Sequence, residues 1–136
     1  MGKVFTDFFP HNSQEKIMNI KLQIASMLVA HRCANKKTQT QIAKMLGVTF
    51  QQVQKYEHMI NKITSEKLLQ FCISLNVPLQ SFQDGDPYQV LEGADISIIE
   101  KEKAMQRIEK LTFEADLKPL LLTKEMEITN DQSSSR

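Results

Sequence analysis

Tryptophan is absent from this 136-residue chain, aromatic residues make up only 7% of it, and glycine occurs four times. So little aromatic and glycine content fits a small helical protein. Cysteine is nearly missing too. Cys33 and Cys72 lie far apart, each inside an apolar helical pattern, and read as small buried hydrophobes rather than a disulfide or metal ligands. His11, His31 and His58 form no i, i+4 pair and join no cysteine, so no metal site is expected. No apolar run approaches the roughly 18 residues of a membrane span, and no signal peptide opens the chain. Met1 to Thr6 fit the loose N-myristoylation pattern, a short and common one. The expected compartment is the cytoplasm, with no membrane partner. There is no glycine-rich phosphate loop, no His-paired nucleophile and no helix with two carboxylates at catalytic spacing. Neither an enzyme nor a cofactor is expected, and no catalytic residue is assigned.

Acidic residues are scarce in one half only. Residues 13–83 hold nine Lys/Arg against Glu15, Glu57 and Glu66, a charge of +6, whereas residues 84–136 hold seven basic and twelve acidic residues, a charge of −5. The overall +1 hides this division. A basic half joined to an acidic one suggests a polyanion-binding module with an appended segment of another purpose. The length suits one small domain plus that segment.

What is present is concentrated between Thr38 and Glu57. Thr38 is placed to cap a short helix whose inward face is Ile42, Ala43 and Leu46. Gly47 supplies the positive φ just past its end. Val48 turns inward and Thr49 caps a second helix. In that helix Val53 and Tyr56 are at i, i+3, with Glu57 on the same side. The 100° step then places Gln51 and Lys55 at the centre of the exposed face, with Gln54 and His58 beside them and Phe50 and Gln52 at its edges. Amides and a lysine are groups that pair with adenine and guanine edges.

The set Thr38-Gln39, Ile42-Ala43, Leu46-Gly47-Val48-Thr49, Val53 and Tyr56-Glu57 resembles the Cro/lambda-repressor family, also called the XRE family. The run from Gly47 to Glu57 followed by Asn61-Lys62-Ile63 is similar to a subgroup of bacterial regulators. The resemblance covers roughly residues 20–85. It implies an all-α fold, five helices in a DNA-binding domain, with a helical extension behind it. It also implies a double-stranded DNA-binding transcriptional regulator acting as a homodimer, with residues 49–57 as the major-groove helix. Base contacts are expected from Gln51 and Lys55, with Phe50 against a thymine methyl. Phosphate contacts are expected from Lys37, Gln39, Gln52, Asn61 and Lys62. By resemblance Arg32 pairs with Glu57, a partly buried ion pair holding the second helix to the first. Lys36, Lys37 and Met59 depart from the family, which usually has Gly at two of these turn positions.

The remaining chain is divided as follows. Residues 1–13, with Phe5, Phe8 and Phe9, form an N-terminal arm, and residues 14–85 the DNA-binding domain. The first helix begins near Ser13 or Asn19 and ends near Ala34, with one inward stripe, Ile20, Ile24 and Leu28, flanked by Ala25 and Met27. Thr64 caps a later helix whose core face is Leu68, Leu69, Cys72, Ile73 and Leu75. Pro78 opens another, with Leu79 and Phe82 inward. Residues 86–122 form an extension with a helix capped by Asp95 or Ser97 and apolar positions Ile98, Met105, Ile108 and Leu111, then a cluster at Leu120 to Leu122. It is too short to enclose its own core, so it packs on the domain or makes the dimer. Residues 123–136 read as a flexible tail. The alternative function is an antitoxin-type regulator whose C-terminal segment binds a protein partner.

Overall fold

The computed structural model describes residues 13–117, and side chains from Ile20 to Asp116. Seven α-helices follow one another: α1 (Ser13–Ala34), α2 (Gln39–Leu46), α3 (Phe50–Glu57), α4 (Ser65–Leu75), α5 (Gln80–Asp84), α6 (Pro87–Glu92) and α7 (Ile98–Thr112). A π-helical turn, Phe113–Leu117, continues α7. No strand occurs among the described residues. The N-terminal arm and the Leu120 to Leu122 cluster lie outside them, as does the flexible tail.

The molecule is built around α1. Its 22 residues contain neither glycine nor proline, and a helix of that length spans about 33 Å. Every residue from Ala25 to Arg32 is buried. A helix buried on all sides needs neighbours on all sides, and two separate cores supply them. On one side Met27 and Leu28 pack with Ile42, Ala43, Leu46, Val53, Tyr56, Phe71, Cys72, Leu75 and Phe82. On the other, Ala25, Val29 and Ala30 meet Leu91 of α6 and Ala104, Ile108 and Leu111 of α7. The single inward stripe expected for α1 is therefore too narrow: Ile20 is half exposed, and of the second buried face, Ala25, Val29 and Ala30, only Ala25 was read beside the stripe.

Four helices end the same way. In α1, α2, α3 and α4 the amide two residues beyond the last turn donates back across a six-residue loop: Lys37 to Arg32, Val48 to Ala43, Ile60 to Lys55 and Val77 to Cys72. This closing loop needs a left-handed residue at its centre. Gly47 meets that need with φ 66°, but Lys36 (58°), Met59 (62°) and Asn76 (54°) meet it without glycine. The departures from the family at Lys36 and Met59 thus change the residue and keep the turn. Gly85 serves packing instead. A Cβ there would sit 2.8 Å from the Met27 methyl and closer still to the Ser81 carbonyl.

Three other assignments are corrected. On α4 the buried arc is Phe71, Cys72 and Leu75 with Leu68 partly covered, whereas Leu69 and Ile73 are exposed. Leu68, Phe71, Cys72 and Leu75 are spaced i, i+3, i+4, i+7, one face of a helix; Leu69 and Ile73 fall on the next. On α5 Phe82 is buried but Leu79 is 47% exposed, because this five-residue helix docks through Phe82 against Phe71 and His31. On α7, Ser97 is the cap, accepting from the Glu100 amide at 3.2 Å. Ile98, at its first turn, points to solvent and Ala104 takes the core position. Helix α6 was not anticipated. It begins with Asp86 capping the Tyr88 amide (2.9 Å) and Pro87 in its first turn, a start signal overlooked in a segment read as the domain's end.

Candidate nucleic-acid interface

The α2–turn–α3 unit is fixed by caps at both starts. Thr38 Oγ1 accepts from the Gln41 amide (3.1 Å) while Gln41 Oε1 accepts from the Thr38 amide (2.8 Å), a reciprocal capping box. Thr49 Oγ1 accepts from the Gln52 amide at 3.1 Å. At the far end of α2, Lys67 Nζ donates to the Leu46 carbonyl at 2.7 Å. That lysine is committed to the turn, which the sequence alone did not indicate.

Helix α3 is held by its inner side. Val53, Tyr56 and Glu57 are buried, and Glu57 is the anchor. Arg32 Nε and Nη2 donate to its two carboxylate oxygens at 2.7 and 3.1 Å. Arg32 Nη1 donates to the Lys37 carbonyl at 3.0 Å, tying the α1–α2 turn to the same group. Burial alone would lower the Arg32 pKa, but the hydrogen bond and charge of Glu57 outweigh it and raise it. Removing one partner of such a desolvated pair costs about 3–5 kcal/mol. Two further groups reach Glu57 Oε1: Gln39 Nε2 donates at 3.0 Å, and Arg107 Nη2 of α7 stands 3.7 Å away. Neither contact was foreseen. The Arg107 contact depends on how the extension folds back, which no local pattern encodes.

The outer side of α3 is open. Gln51, Lys55 and His58 are exposed, Phe50 is 40% exposed, and Gln52 and Gln54 are half buried. Gln52 Oε1 accepts from Asn61 Nδ2 at 3.3 Å, joining the first turn of α3 to the loop after it. Lys62 is exposed in that loop. Lys37 and Gln39 sit at the start of α2, both half buried. Gln51 and Lys55 therefore share the exposed face of α3 with Phe50 at its edge, while Lys37 and Gln39 lie at the start of α2 and Gln52, Asn61 and Lys62 in the first turn of α3 and the loop after it. Among the described residues no group of acids, histidines and cysteines is arranged to hold a metal. No described helix is long and apolar enough to cross a membrane.

Two capped short helices at a tight left-handed turn, the second locked inward by a buried ion pair and open outward, define a helix-turn-helix DNA-binding domain. The helix-turn-helix family matches residues 28–82. The chain belongs to that family, in its Cro/lambda-repressor-like (XRE) form. It is similar to an uncharacterized transcriptional regulator in the ATPase CF(0) region of Rhodospirillum rubrum, with 30% identity over 82 residues, 57% of this chain and 76% of that one. An uncharacterized HTH-type transcriptional regulator of Sinorhizobium medicae (strain WSM419) is 31% identical over 75 residues, 55% of this chain. A further one from Rhizobium meliloti (strain 1021) matches with the same figures. This chain spans 54%, about half, of the length of those two. No solved structure matches significantly.

Proposed function

We propose that the protein is a sequence-specific transcriptional regulator that binds double-stranded DNA as a homodimer, placing α3 in the major groove. The observation that carries this reading is the division of α3 into a locked face (Val53, Tyr56, Glu57) and an open face of Gln51 and Lys55. The N-terminal part of such a helix enters the groove most deeply, so Gln51 and Lys55 read base edges and Phe50 meets a thymine methyl. Lys37 and Gln39 at the start of α2, with Gln52, Asn61 and Lys62 on the other flank, take phosphates. The Gln39 amide is already held by Glu57 through one hydrogen and has a second to offer. An eight-residue helix covers only a few base pairs. Two copies on successive grooves, about 34 Å apart, supply the rest of the specificity.

Selection of bound sequences from a random duplex pool tests the reading, and a palindromic consensus is the expected result. Two substitutions then separate the roles. Gln51→Ala should cost roughly 1–3 kcal/mol on the selected site and little on random DNA. Lys62→Ala should weaken both together and lower the salt slope by about one. Equal loss of specific and random binding in Gln51→Ala would remove Gln51 from base readout.

A further inference from the structure

Helix α7 carries its own cationic face. Lys103, Arg107 and Lys110 are spaced i, i+4, i+7 and all are exposed, while Ala104, Ile108 and Leu111, each one step of about 100° further round the helix, fix the neighbouring side to α1. Glu100 and Glu114 stand at the two ends of the same face, at spacings where carboxylates often close pairs with such lysines. Here they do not: among the described residues the ion pairs are Arg32 with Glu57 and Arg107 with Glu57. The lysines are thus not consumed along their own helix.

The position of this face matters more than its charge. Arg107 meets Glu57 Oε1, the oxygen that also accepts from Gln39 at the start of α2. It therefore arrives beside the α2 N-terminus and the last turn of α3. The Glu57 charge is already compensated by Arg32, and Arg107 at 3.7 Å is loosely held, its side chain 43% exposed. Arg107 and Lys110, with His58 and Glu114, line a cavity floored by Val29 and Leu111. Once Arg32 cancels Glu57, cations outnumber carboxylates in that wall. A surface of this kind suits a phosphate group.

We infer that the Lys103–Arg107–Lys110 face of α7 is a further phosphate-binding surface, which grips the DNA backbone outside the helix-turn-helix and beside the α2 contact. This rests on the DNA-binding reading above. The acidic half of the chain would then contribute its basic helix face to the same interface as the basic half.

The test is a salt titration of duplex binding by the full chain, on the selected site and on random DNA. Lys103→Gln/Lys110→Gln touches no internal contact of Glu57. It should weaken both duplexes alike, leave the consensus unchanged and lower the salt slope by about two. Lys62→Ala is the companion measurement. A lowered slope in Lys62→Ala with an unchanged slope in the α7 variant overturns the α7 surface and leaves the DNA reading standing. Absence of any salt-dependent DNA binding by the unaltered chain overturns both. A free anion is separated by titrating inorganic phosphate at constant ionic strength. Saturable phosphate binding lost in Arg107→Gln, with the DNA slope unmoved by the α7 variant, would assign the cavity to a small anion and end the proposal.

Discussion

Lys36 holds a left-handed backbone that costs a residue with a Cβ about 1–2 kcal/mol, and its side chain is exposed, so nothing in packing offsets that cost. Lys36→Gly should stabilise the protein by about 0.5–1 kcal/mol, after allowance for the extra freedom glycine gives the unfolded chain. A higher urea midpoint with an unchanged slope is the expected result; an unchanged midpoint would mean that the lysine suffers no strain there. His31 offers a different test. Its Nε2 lies 3.0 Å from Ser81 Oγ, which itself donates to the Pro78 carbonyl at 2.7 Å. With the serine hydroxyl spent on Pro78, the ring Nε2–H donates to the serine oxygen. Burial pushes its pKa below the usual histidine value. The unfolded chain thus takes up a proton first as pH falls, and stability from this residue, full above about pH 6.5, declines below it. The urea midpoint should drop between pH 7.5 and 5, and His31→Gln should flatten that drop. A slope unaffected by the substitution would place the pH sensitivity elsewhere.

At the scale of elements, the DNA-facing unit was legible because its signals are local. A Thr cap, a Gly past the helix end and apolar residues at i, i+3 each act within one turn, and α2 and α3 follow from them. The Arg32–Glu57 pair was legible only through resemblance, since nothing in the spacing joins residues 25 apart. What escaped was the second buried face of α1, together with α6 and the Arg107 contact, all of which depend on how residues 86–112 return to the domain. That return changes what truncation should do. From sequence alone, residues 14–85 read as the DNA-binding domain and the rest as an appended segment. In the structure a chain ending near Gly85 bares Ala25, Val29 and Ala30, and it should lose cooperative unfolding and bind hydrophobic dye. A truncated protein with the urea midpoint of the full chain would show the second core to be dispensable.

The described residues form one helix between two cores, one carrying the helix-turn-helix and the other the extension. Among the described residues of the extension, the apolar side is used within the protomer, so in that part a dimer contact falls to outward residues. Ile98 and Ile99 are the most exposed large hydrophobics described there, at 74% and 65%. If they make the contact, Ile98→Ser/Ile99→Ser should sediment as a monomer with an undisturbed helical spectrum and should bind half-sites independently. A variant that remains dimeric would place the interface elsewhere, the exposed Leu69 and Ile73 of α4 being the next surface to alter. The complete burial of α1 from Ala25 to Arg32 has a kinetic consequence as well. Its amides have no partial opening available, since freeing either side still leaves the other closed, and they should exchange with solvent only when the entire protein unfolds. A local disturbance in the extension is then felt at the DNA-facing half through a shared spine. The two halves, opposite in charge and distinct in sequence, should then behave as a single cooperative unit in hydrogen exchange.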